Sequence, residues 1–295
     1  MRNISKNSLY LSLFAFVFSV CAHSDVGEGL LWRVQWPKQP ANYVFGTIHV
    51  DDKRVKKLSD RVTSRFNKAK TLCLEILPNR ETQVSIGLAM LLSKPHSLDQ
   101  ILGEKLFNRL SLSLNKIGVG PVQATHLKPW AAMMLLSRPK GHGGYALDEQ
   151  LYHWAEYQYK ELCALETLKE QLAVFDQLSN KDQISLLVDT LDNLPMLHEM
   201  HEQLIQTYLT GNLDEIYQQS MELQTADHDL SQRLNDTLID QRNIRMFNRM
   251  LPILNKGRSF IAVGALHLPG KKGLLNLLRE QGYIVSPAGI TVNPW

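Results

Sequence analysis

Short apolar runs rich in β-branched and aromatic residues recur along the chain and predict six strands. The runs cover 30–36, 43–47, 71–77, 161–165, 260–263 and 283–285. Each run is too short for a buried helix and is bounded by turn-forming or charged residues, as is typical of strands. Because the runs lie far apart in the chain, a sheet made from them must bring distant segments together.

Apolar residues at helical spacing fill much of the remaining sequence. Positions 55, 58, 62 and 66 alternate with charged residues and predict one amphipathic helix over 55–66. Further helices are predicted over 84–92, 105–116, 130–137, 148–159 and 273–281, with a long helical stretch over 168–254 that has weak breaks at 193–195 and 210–212. Strand, helix and strand in succession predict a βαβ unit. The predicted fold class is α/β, with a mixed sheet built from two related βα halves and a helical insertion over about 80–255.

The same four-residue pattern follows two of the predicted strands. Gly46-Thr47-Ile48-His49 ends the second strand and Gly264-Ala265-Leu266-His267 ends the fifth. Ligands of open α/β sheets bind at the carboxyl ends of the strands, so the two histidines predict one site built by two halves. The alternative is two unrelated core histidines, since histidine is intermediate in its preference for burial.

A glutamate follows each of two other strands, in Cys73-Leu74-Glu75 and Cys163-Ala164-Leu165-Glu166. A carboxylate after an apolar run needs a metal, an arginine or another partner to offset the cost of burial. Glu75 is the better candidate for a metal ligand, and its alternative role is a salt bridge to a core arginine. Glu166 precedes what reads as a helix start, where it would favour the positive end of the helix.

Two imidazoles and one or two carboxylates suit Zn²⁺, Mn²⁺, Co²⁺ or Fe²⁺, and such an incomplete shell leaves positions for water and substrate. We expect His49 and His267 to hold the metal, with Glu75 as a ligand or as the base that takes a proton from water. Arg242 lies in a long polar helix, where surface exposure is the default. Glu166 or Arg242 is the candidate for a second carboxylate or an oxyanion contact.

Two other patterns resemble known sites but lack a required part. His198-Glu199-Met200-His201 spaces its histidines at i and i+3, whereas the zincin helix needs i and i+4. We therefore interpret it as a solvated helix face. Gly141-His142-Gly143-Gly144 is similar to an esterase oxyanion loop, but the sequence has no Gly-x-Ser-x-Gly elbow. A flexible loop or lid is the preferred interpretation.

The N-terminal segment has the pattern of an export signal. Arg2 and Lys6 precede an apolar run over 9–20, and Val20-Cys21-Ala22 resembles a small-residue cleavage site. The run is too short to span a bilayer. We expect cleavage after Ala22, a single domain over 23–295, and a periplasmic or secreted protein. A lipid anchor on Cys21 is the competing reading, although Phe18-Ser19-Val20 places valine where lipoprotein signals have a small residue.

Charge and cysteine content narrow the function further. Loss of Arg2 and Lys6 with residues 1–22, which contain no acidic residue, lowers the formal net charge from +3 to +1. This balance gives no electrostatic reason for a nucleic-acid or membrane partner. Cys73 and Cys163 remain, and an exported protein permits a disulfide between them. Because both lie in runs that we interpret as central strands, two buried free thiols are the alternative.

Several of these motifs together resemble the TraB/GumN family, which includes the Tiki metalloproteases and is related to erythromycin-esterase and ChaN-like proteins. The matches are the two Gly-x-x-His motifs, Glu75, Lys128-Pro129-Trp130, Leu147-Asp148, Leu165-Glu166-Thr167 with Gln171, and Arg242-Asn243. The resemblance extends from about residue 30 to the end. It implies an α/β core of two related halves with helical insertions. It also implies a Mn²⁺- or Co²⁺-dependent peptidase whose motif residues map onto His49, His267 and Glu75.

The function expected from the sequence is metal-dependent hydrolysis of a peptide or similar acyl bond, with a peptide or protein as substrate. Mn²⁺ or Co²⁺ is the favoured cofactor and Zn²⁺ is an alternative. Two other functions stay open. The pocket could hold a metal, haem or small ligand without chemistry, or the protein could be an esterase that acts on small esters or lactones.

Overall fold

The computed structural model describes residues 29–139, 144–222 and 228–288. In these ranges six strands form one mixed sheet in the order β4-β3-β5-β2-β1-β6. The strands are β1 (Leu31–Gln35), β2 (Asn42–Thr47), β3 (Thr71–Leu74), β4 (Glu161–Ala164), β5 (Ser259–Gly264) and β6 (Ile284–Pro287). Each strand lies at a predicted run, and the α/β fold class is confirmed. The third strand ends at Leu74, three residues earlier than predicted.

The strand order interleaves the segments that the sequence suggested as two halves. β2 pairs in parallel with β5, and β5 pairs in parallel with β3, which in turn pairs in parallel with β4. β1 is antiparallel to both β2 and β6. The predicted βαβ unit is present, since β2 and β3 run in the same direction with α1 and α2 between them in sequence, but β5 lies between the two strands in the sheet.

The helices follow the predicted periodicity with different boundaries. They are α1 (Lys53–Lys56), α2 (Asp60–Lys68), α3 (Arg80–Ala89), α4 (Leu98–Leu102), α5 (Glu104–Asn115), α6 (Pro121–Thr125), α7 (Pro129–Ser137), α8 (Leu147–Tyr157), α9 (Leu168–Asp176), α10 (Asn180–Asn193), α11 (Leu197–Thr210), α12 (Leu213–Glu222), α13 (His228–Asn235), α14 (Gln241–Lys256) and α15 (Leu274–Glu280). The helical insertion is two blocks, because β4 separates α3–α8 from α9–α14.

Helix capping explains where the prediction fails. The single helix expected over 55–66 is divided into α1 and α2, because Ser59 caps α2 and its Oγ accepts from the Val62 N–H at 3.4 Å. Ser179 caps α10 in the same way and divides the long helical stretch. A π-helical segment, Asp236–Asp240, joins α13 to α14. The five-residue helices α4 and α6 were not predicted, since they contain too few turns to show a period.

Two apolar cores hold these layers together. The larger core surrounds the sheet, where buried Phe66 of α2, Leu151 of α8 and Met246 of α14 pack with the strands. The smaller core lies among α4–α7, α9 and α10 around buried Trp130. Trp130 stacks on Phe175, and its indole N–H donates to Asp176 at 2.8 Å. The larger core fixes the positions of the strand ends, and the smaller core holds α9 through Leu172.

A disulfide joins Cys73 of β3 to Cys163 of β4, which are direct register partners with Cα atoms 4.6 Å apart. β4 is an edge strand, so the expectation of two central strands is wrong for Cys163, which is only half-buried. In the described ranges no helix has both the length and the apolar content needed to cross a membrane. The predicted export signal over 1–22, Cys21 and the segment Gly141-His142-Gly143 lie outside the described residues.

Candidate active site

The two Gly-x-x-His motifs meet because β2 and β5 are neighbouring parallel strands. Thr47 is the register partner of Gly264, so the segments that carry His49 and His267 leave the sheet side by side. Gly46 permits this approach, since a Cβ there would lie 3.0 Å from Leu268 Cδ1 and 3.1 Å from Ala265 Cα. The sequence prediction that the motifs come together is borne out by this pairing.

Hydrogen bonds orient both imidazoles through their Nδ1 atoms. His49 Nδ1 lies 2.7 Å from Asp148 Oδ2, and Asp148 Oδ1 accepts from Thr47 Oγ1 at 2.6 Å. His267 Nδ1 lies 2.7 Å from Asn243 Oδ1, whose amide nitrogen donates to the Lys272 carbonyl. Carboxylate and carbonyl oxygens accept, so Nδ1 carries a proton in both rings and Nε2 is the ring nitrogen that remains for a metal. Histidines that bind metals are commonly held in this way.

Glu75 is buried and uses its two oxygens differently. Oε1 accepts from the Gly264 N–H at 2.7 Å and lies 3.6 Å from His267 Nε2. Oε2 accepts from Arg242 Nη2 at 2.6 Å and from Gln171 Nε2 at 3.1 Å. The salt bridge to a core arginine, which the sequence left as an alternative, is therefore present. It occupies one oxygen and leaves the other facing the histidine.

Three donor groups surround one point beside Gly264. A Cβ built on this glycine would lie 3.2 Å from Glu75 Oε1, 3.5 Å from His267 Cδ2 and 4.0 Å from His49 Nε2. In the ranges that the structure describes, no group of three or more His, Cys, Asp or Glu side chains is placed so that it could hold a metal ion. The residue types, two imidazoles and one carboxylate, are nevertheless those that divalent ions take as ligands.

Arg242 joins the two glutamates of the site. Its Nε and Nη2 donate to Glu166 Oε2 at 2.9 and 2.6 Å, and Nη2 also donates to Glu75. The side chains of Arg242 and Glu166 are 8% and 0% exposed. The default expectation of a surface arginine is wrong, because Arg242 shares the buried face of α14 with Met246 and Met250. Arg242 therefore acts on Glu75 from within the protein rather than from an open surface.

Glu166 does not take the helix-start role that the sequence allowed. Thr167 and Glu170 form a capping box at the start of α9. Glu166 instead binds Arg242, and its second oxygen lies 3.4 Å from Arg245 Nη2. Its position is fixed further by its backbone N–H, which donates to the Glu75 carbonyl at 2.8 Å.

The charges around the site set distinct protonation states. The Asp148 carboxylate raises the pKa of His49 to about 9, while burial lowers the pKa of His267 to about 4. Burial alone would raise the pKa of Glu75, but the charges of His267, His49 and Arg242 and the Gly264 N–H together lower it to about 2. Glu75 is therefore ionised at neutral pH. The His49 side chain is 60% exposed, so the site opens to solvent on this side.

The structure adds three residues for which the sequence suggested no role: Asp148, Asn243 and Gln171. The position of Asn243 was indicated by the sequence. Its neighbour Arg242 recurs with Met246 and Met250 every four residues, which places Arg242 and Asn243 on the apolar side of α14. Asp148 was indicated only by the family motif Leu147-Asp148, since an aspartate in a first helical turn is otherwise common for electrostatic reasons. His198 is exposed on α11, as expected of a solvated face.

Comparison with known proteins identifies the family. The sequence profile of the TraB/PrgY/gumN family matches residues 30–287. The chain belongs to this family. The resemblance seen in the sequence motifs is thereby confirmed over nearly all of the described residues. No solved structure matches this TraB/PrgY/gumN chain.

Relatives of this TraB/PrgY/gumN chain include proteins named as metalloproteases. A metalloprotease TIKI homolog of Amphimedon queenslandica is 24% identical over an alignment of 328 positions, which covers 92% of this chain and 64% of the homolog. Metalloprotease TIKI1 of Homo sapiens is 26% identical, covering 89% and 63%. The uncharacterized protein YbaP of Shigella flexneri is 26% identical, covering 82% and 89%. The chain thus spans less than two thirds of the length of these two TIKI proteins.

Proposed function

We propose that the protein is an exported, metal-dependent hydrolase that cleaves peptide bonds. The observation that carries the proposal is the convergence of His49 Nε2, His267 and Glu75 Oε1 on the space beside Gly264. Membership of the TraB/PrgY/gumN family and the two relatives named as metalloproteases support it.

His49, His267 and Glu75 are the residues that would hold the metal. Mn²⁺ or Co²⁺ is the favoured ion, since two imidazoles and one carboxylate leave positions for water and substrate. When bound, the ion would supply Lewis-acid polarisation of the scissile carbonyl and a lower pKa for water. His49 is the exposed member of the set, so substrate enters on the side of β2.

Glu75 serves this reaction as an ionised carboxylate. A pKa of about 2 makes it a weak proton acceptor, which favours the role of ligand over that of base. Gln171 and Arg242 restrain Oε2 and so direct Oε1 toward His267.

Arg242 and Glu166 act as positioning residues for Glu75. Most of the donors of the Arg242 guanidinium are already committed to Glu75, Glu166 and the Leu238 carbonyl. This arrangement supports neither an oxyanion contact from Arg242 nor direct substrate contact from the fully buried Glu166. Both residues instead fix where the Glu75 carboxylate points.

Export forms part of the proposal. The charged and apolar N-terminal segment has the pattern of a cleaved signal. The disulfide between Cys73 and Cys163 suits an oxidising compartment such as the periplasm. Mass spectrometry of the protein recovered from a bacterial periplasm would give the mature N-terminus, which we expect after Ala22. Recovery only from the cytoplasm with an intact N-terminus would contradict export.

The decisive experiment is cleavage of a mixed peptide library, with and without Mn²⁺ or Co²⁺, read by mass spectrometry. We expect metal-dependent cleavage by the wild type and none by His49→Ala or His267→Ala. His198→Ala is the matched control, because it removes an exposed imidazole of α11 that is not among the proposed metal ligands. Both active-site variants must show wild-type circular dichroism, so that loss of activity is not loss of fold.

Two other results would redirect the assignment. Cleavage of small esters or lactones without peptide cleavage would make the protein an esterase. Failure of the folded, metal-loaded protein to cleave any of these substrates would contradict hydrolysis, and a Soret band on haem addition would then indicate a binding protein.

A further inference from the structure

A pocket lies at the opposite end of the sheet from the candidate active site. Its volume is about 360 Å³, and it is lined by the segments that lead into β2 and β5 and by the end of α2. Between Ser259, which lines this pocket, and Gly264 in the active site, β5 advances five residues. At about 3.3 Å per residue, roughly 17 Å separate the two sites. A ligand bound in this pocket would therefore not touch the residues of the proposed hydrolase site.

Three cationic side chains line this pocket: Arg65, Lys68 and Arg258. None of the described residues that line it is acidic. Within the described ranges, none of the three side chains forms an ion pair or a hydrogen bond. Uncompensated positive charges repel one another, and an anion bound among them would relieve that repulsion.

Stabilisation of the C-terminal end of α2 explains the presence of only two of these three cations. Arg65 and Lys68 lie in the last turn of α2, where cations favour the negative end of the helix. Arg258 belongs to the turn between α14 and β5, so this explanation does not apply to it. Its φ of 58° lies in a region that residues other than glycine rarely adopt. Its backbone N–H donates to the Ala41 carbonyl and its own carbonyl accepts from the Lys70 N–H, so the strand ends fix its position.

Tyr43 restrains the Arg65 side chain within the pocket. The Arg65 guanidinium lies 5.1 Å from the centroid of the Tyr43 ring. Stacking on an aromatic face restrains the guanidinium and leaves its N–H edge free for oxygen acceptors. Arginine and lysine side chains are the groups that commonly bind phosphate oxygens, and three of them line this pocket. Pro40, Ala41 and Ala69 supply apolar walls beside them.

We propose that this pocket binds a phosphate group, with Arg65, Lys68 and Arg258 as its contacts. A soluble phosphate ester and the headgroup of an anionic phospholipid offer the same chemistry. The formal net charge of the mature chain conceals such a site, because it averages a local group of cations over the whole sequence.

Calorimetric titration of pyrophosphate into the metal-free protein tests the proposal. We expect one site, with Kd raised about tenfold or more by Lys68→Gln and by Arg258→Gly, since each removes a charged contact. Glycine accepts the backbone conformation of residue 258, so the second variant should keep its fold. Arg61→Gln is the control, because it removes an exposed cation from α2 outside this pocket and should leave Kd within about twofold.

Sedimentation with phosphatidylglycerol vesicles, against phosphatidylcholine vesicles, separates the two sources of phosphate. Binding to the anionic vesicles that Lys68→Gln weakens would assign a lipid headgroup, whereas binding of pyrophosphate alone would assign a soluble ligand. The proposal is overturned if the wild type binds neither probe. It is equally overturned if Lys68→Gln and Arg258→Gly both bind like the wild type. Peptide cleavage does not enter either readout, so failure here leaves the hydrolase assignment untouched.

Discussion

At the scale of single residues, the site depends on two groups that hold the histidines from behind. Asp148 and Asn243 accept from the Nδ1 atoms of His49 and His267, respectively. The two histidines differ in charge, because the Asp148 carboxylate favours the charged form of His49 whereas burial disfavours that of His267. His49 carries a raised pKa and His267 a lowered one. One exposed, charged imidazole and one buried, neutral imidazole therefore face the same space in the metal-free protein at pH 7.

Asp148→Asn should lower the pKa of His49 in the metal-free protein from about 9 toward its ordinary value of 6.5. The amide removes the negative charge that favours the imidazolium but leaves an oxygen that can accept from Nδ1. An NMR titration of the histidine ring resonances measures this shift. Asp60→Asn, in the first turn of α2, should leave it unchanged. A His49 pKa that stays near 9 in Asp148→Asn would show that Asp148 is not its cause.

Gly264→Ala should weaken metal binding while leaving the fold intact. The residue has φ −51° and ψ 135°, which alanine adopts without strain, but its Cβ would occupy the space between Glu75 and the histidines. We expect Mn²⁺ affinity to fall by at least about tenfold, which corresponds to about 1.4 kcal/mol. Calorimetric titration with Mn²⁺ measures the affinity, and a thermal melt measures the stability.

Gly46→Ala provides the contrasting substitution. Its Cβ would meet the Ala265 backbone at 3.1 Å rather than the open site. We expect the free energy of unfolding to fall by about 1–3 kcal/mol, the usual range for overpacking. If Gly264→Ala binds Mn²⁺ like the wild type, the assignment of this space to the metal is contradicted.

At the scale of elements, the disulfide holds together the two strands that carry the glutamates. Cys73 lies two residues before Glu75, and Cys163 lies three residues before Glu166. The pairing of β3 with β4 continues past the strand ends, because the Leu165 and Glu166 N–H groups donate to the Leu74 and Glu75 carbonyls.

Replacing both cysteines by alanine should lower the free energy of unfolding by about 2–5 kcal/mol, since the bond closes a long loop in the unfolded chain. The cysteines are separated by 90 residues in sequence. Urea unfolding of the wild type, oxidised and reduced, and of the double variant measures the effect. Equal midpoints for all three would contradict a stabilising disulfide.

The contact between α9 and α14 predicts a pH effect on stability. Arg249 donates to both Glu170 oxygens, and this bonding lowers the pKa of Glu170 from 4.5 to about 2. A group with a depressed folded-state pKa stabilises the protein above its unfolded pKa and loses that effect as pH falls toward the folded value. The contribution is therefore full at pH 7 and is lost between about pH 4.5 and pH 2.

Arg249→Gln should accordingly melt below the wild type at pH 7, with a gap that narrows as the pH falls below about 4.5. Thermal melts across this range test it. Arg109→Gln is the control, because Arg109 pairs with the exposed Asp192 of α10 and so lies outside the contact between α9 and α14. A gap independent of pH would show that Arg249 stabilises the protein by packing rather than by its ion pair with Glu170.

At the scale of the whole molecule, periodicity was sufficient to locate strands but not to order them. All six strands lie at apolar runs, because a buried strand leaves a local pattern in the sequence. The placement of β5 between β2 and β3 leaves no such pattern, since it depends on pairing between segments about 190 to 220 residues apart. Interleaving is nevertheless what brings His49 and His267 to adjacent strands.

The candidate site was predictable in part for the same reason. His49, His267, Glu75 and Glu166 stand at strand ends, where a local pattern and a general rule about α/β sheets point to function. The partners that orient them come from helices far away in sequence. Asp148 begins α8, Asn243 lies on α14, and their contacts become visible only when the helices are packed. The burial of Arg242 between two carboxylates was hidden by the polar composition of its helix.

The central claim is that His49, His267 and Glu75 form one divalent metal site. Its most direct test is Mn²⁺ titration followed by electron paramagnetic resonance, which counts free ions as the protein takes them up. We predict one Mn²⁺ bound per wild-type chain and per His198→Ala chain, and none at the same concentration in His49→Ala or His267→Ala. Undiminished binding in either active-site variant, or no binding by the folded wild type, would contradict the account.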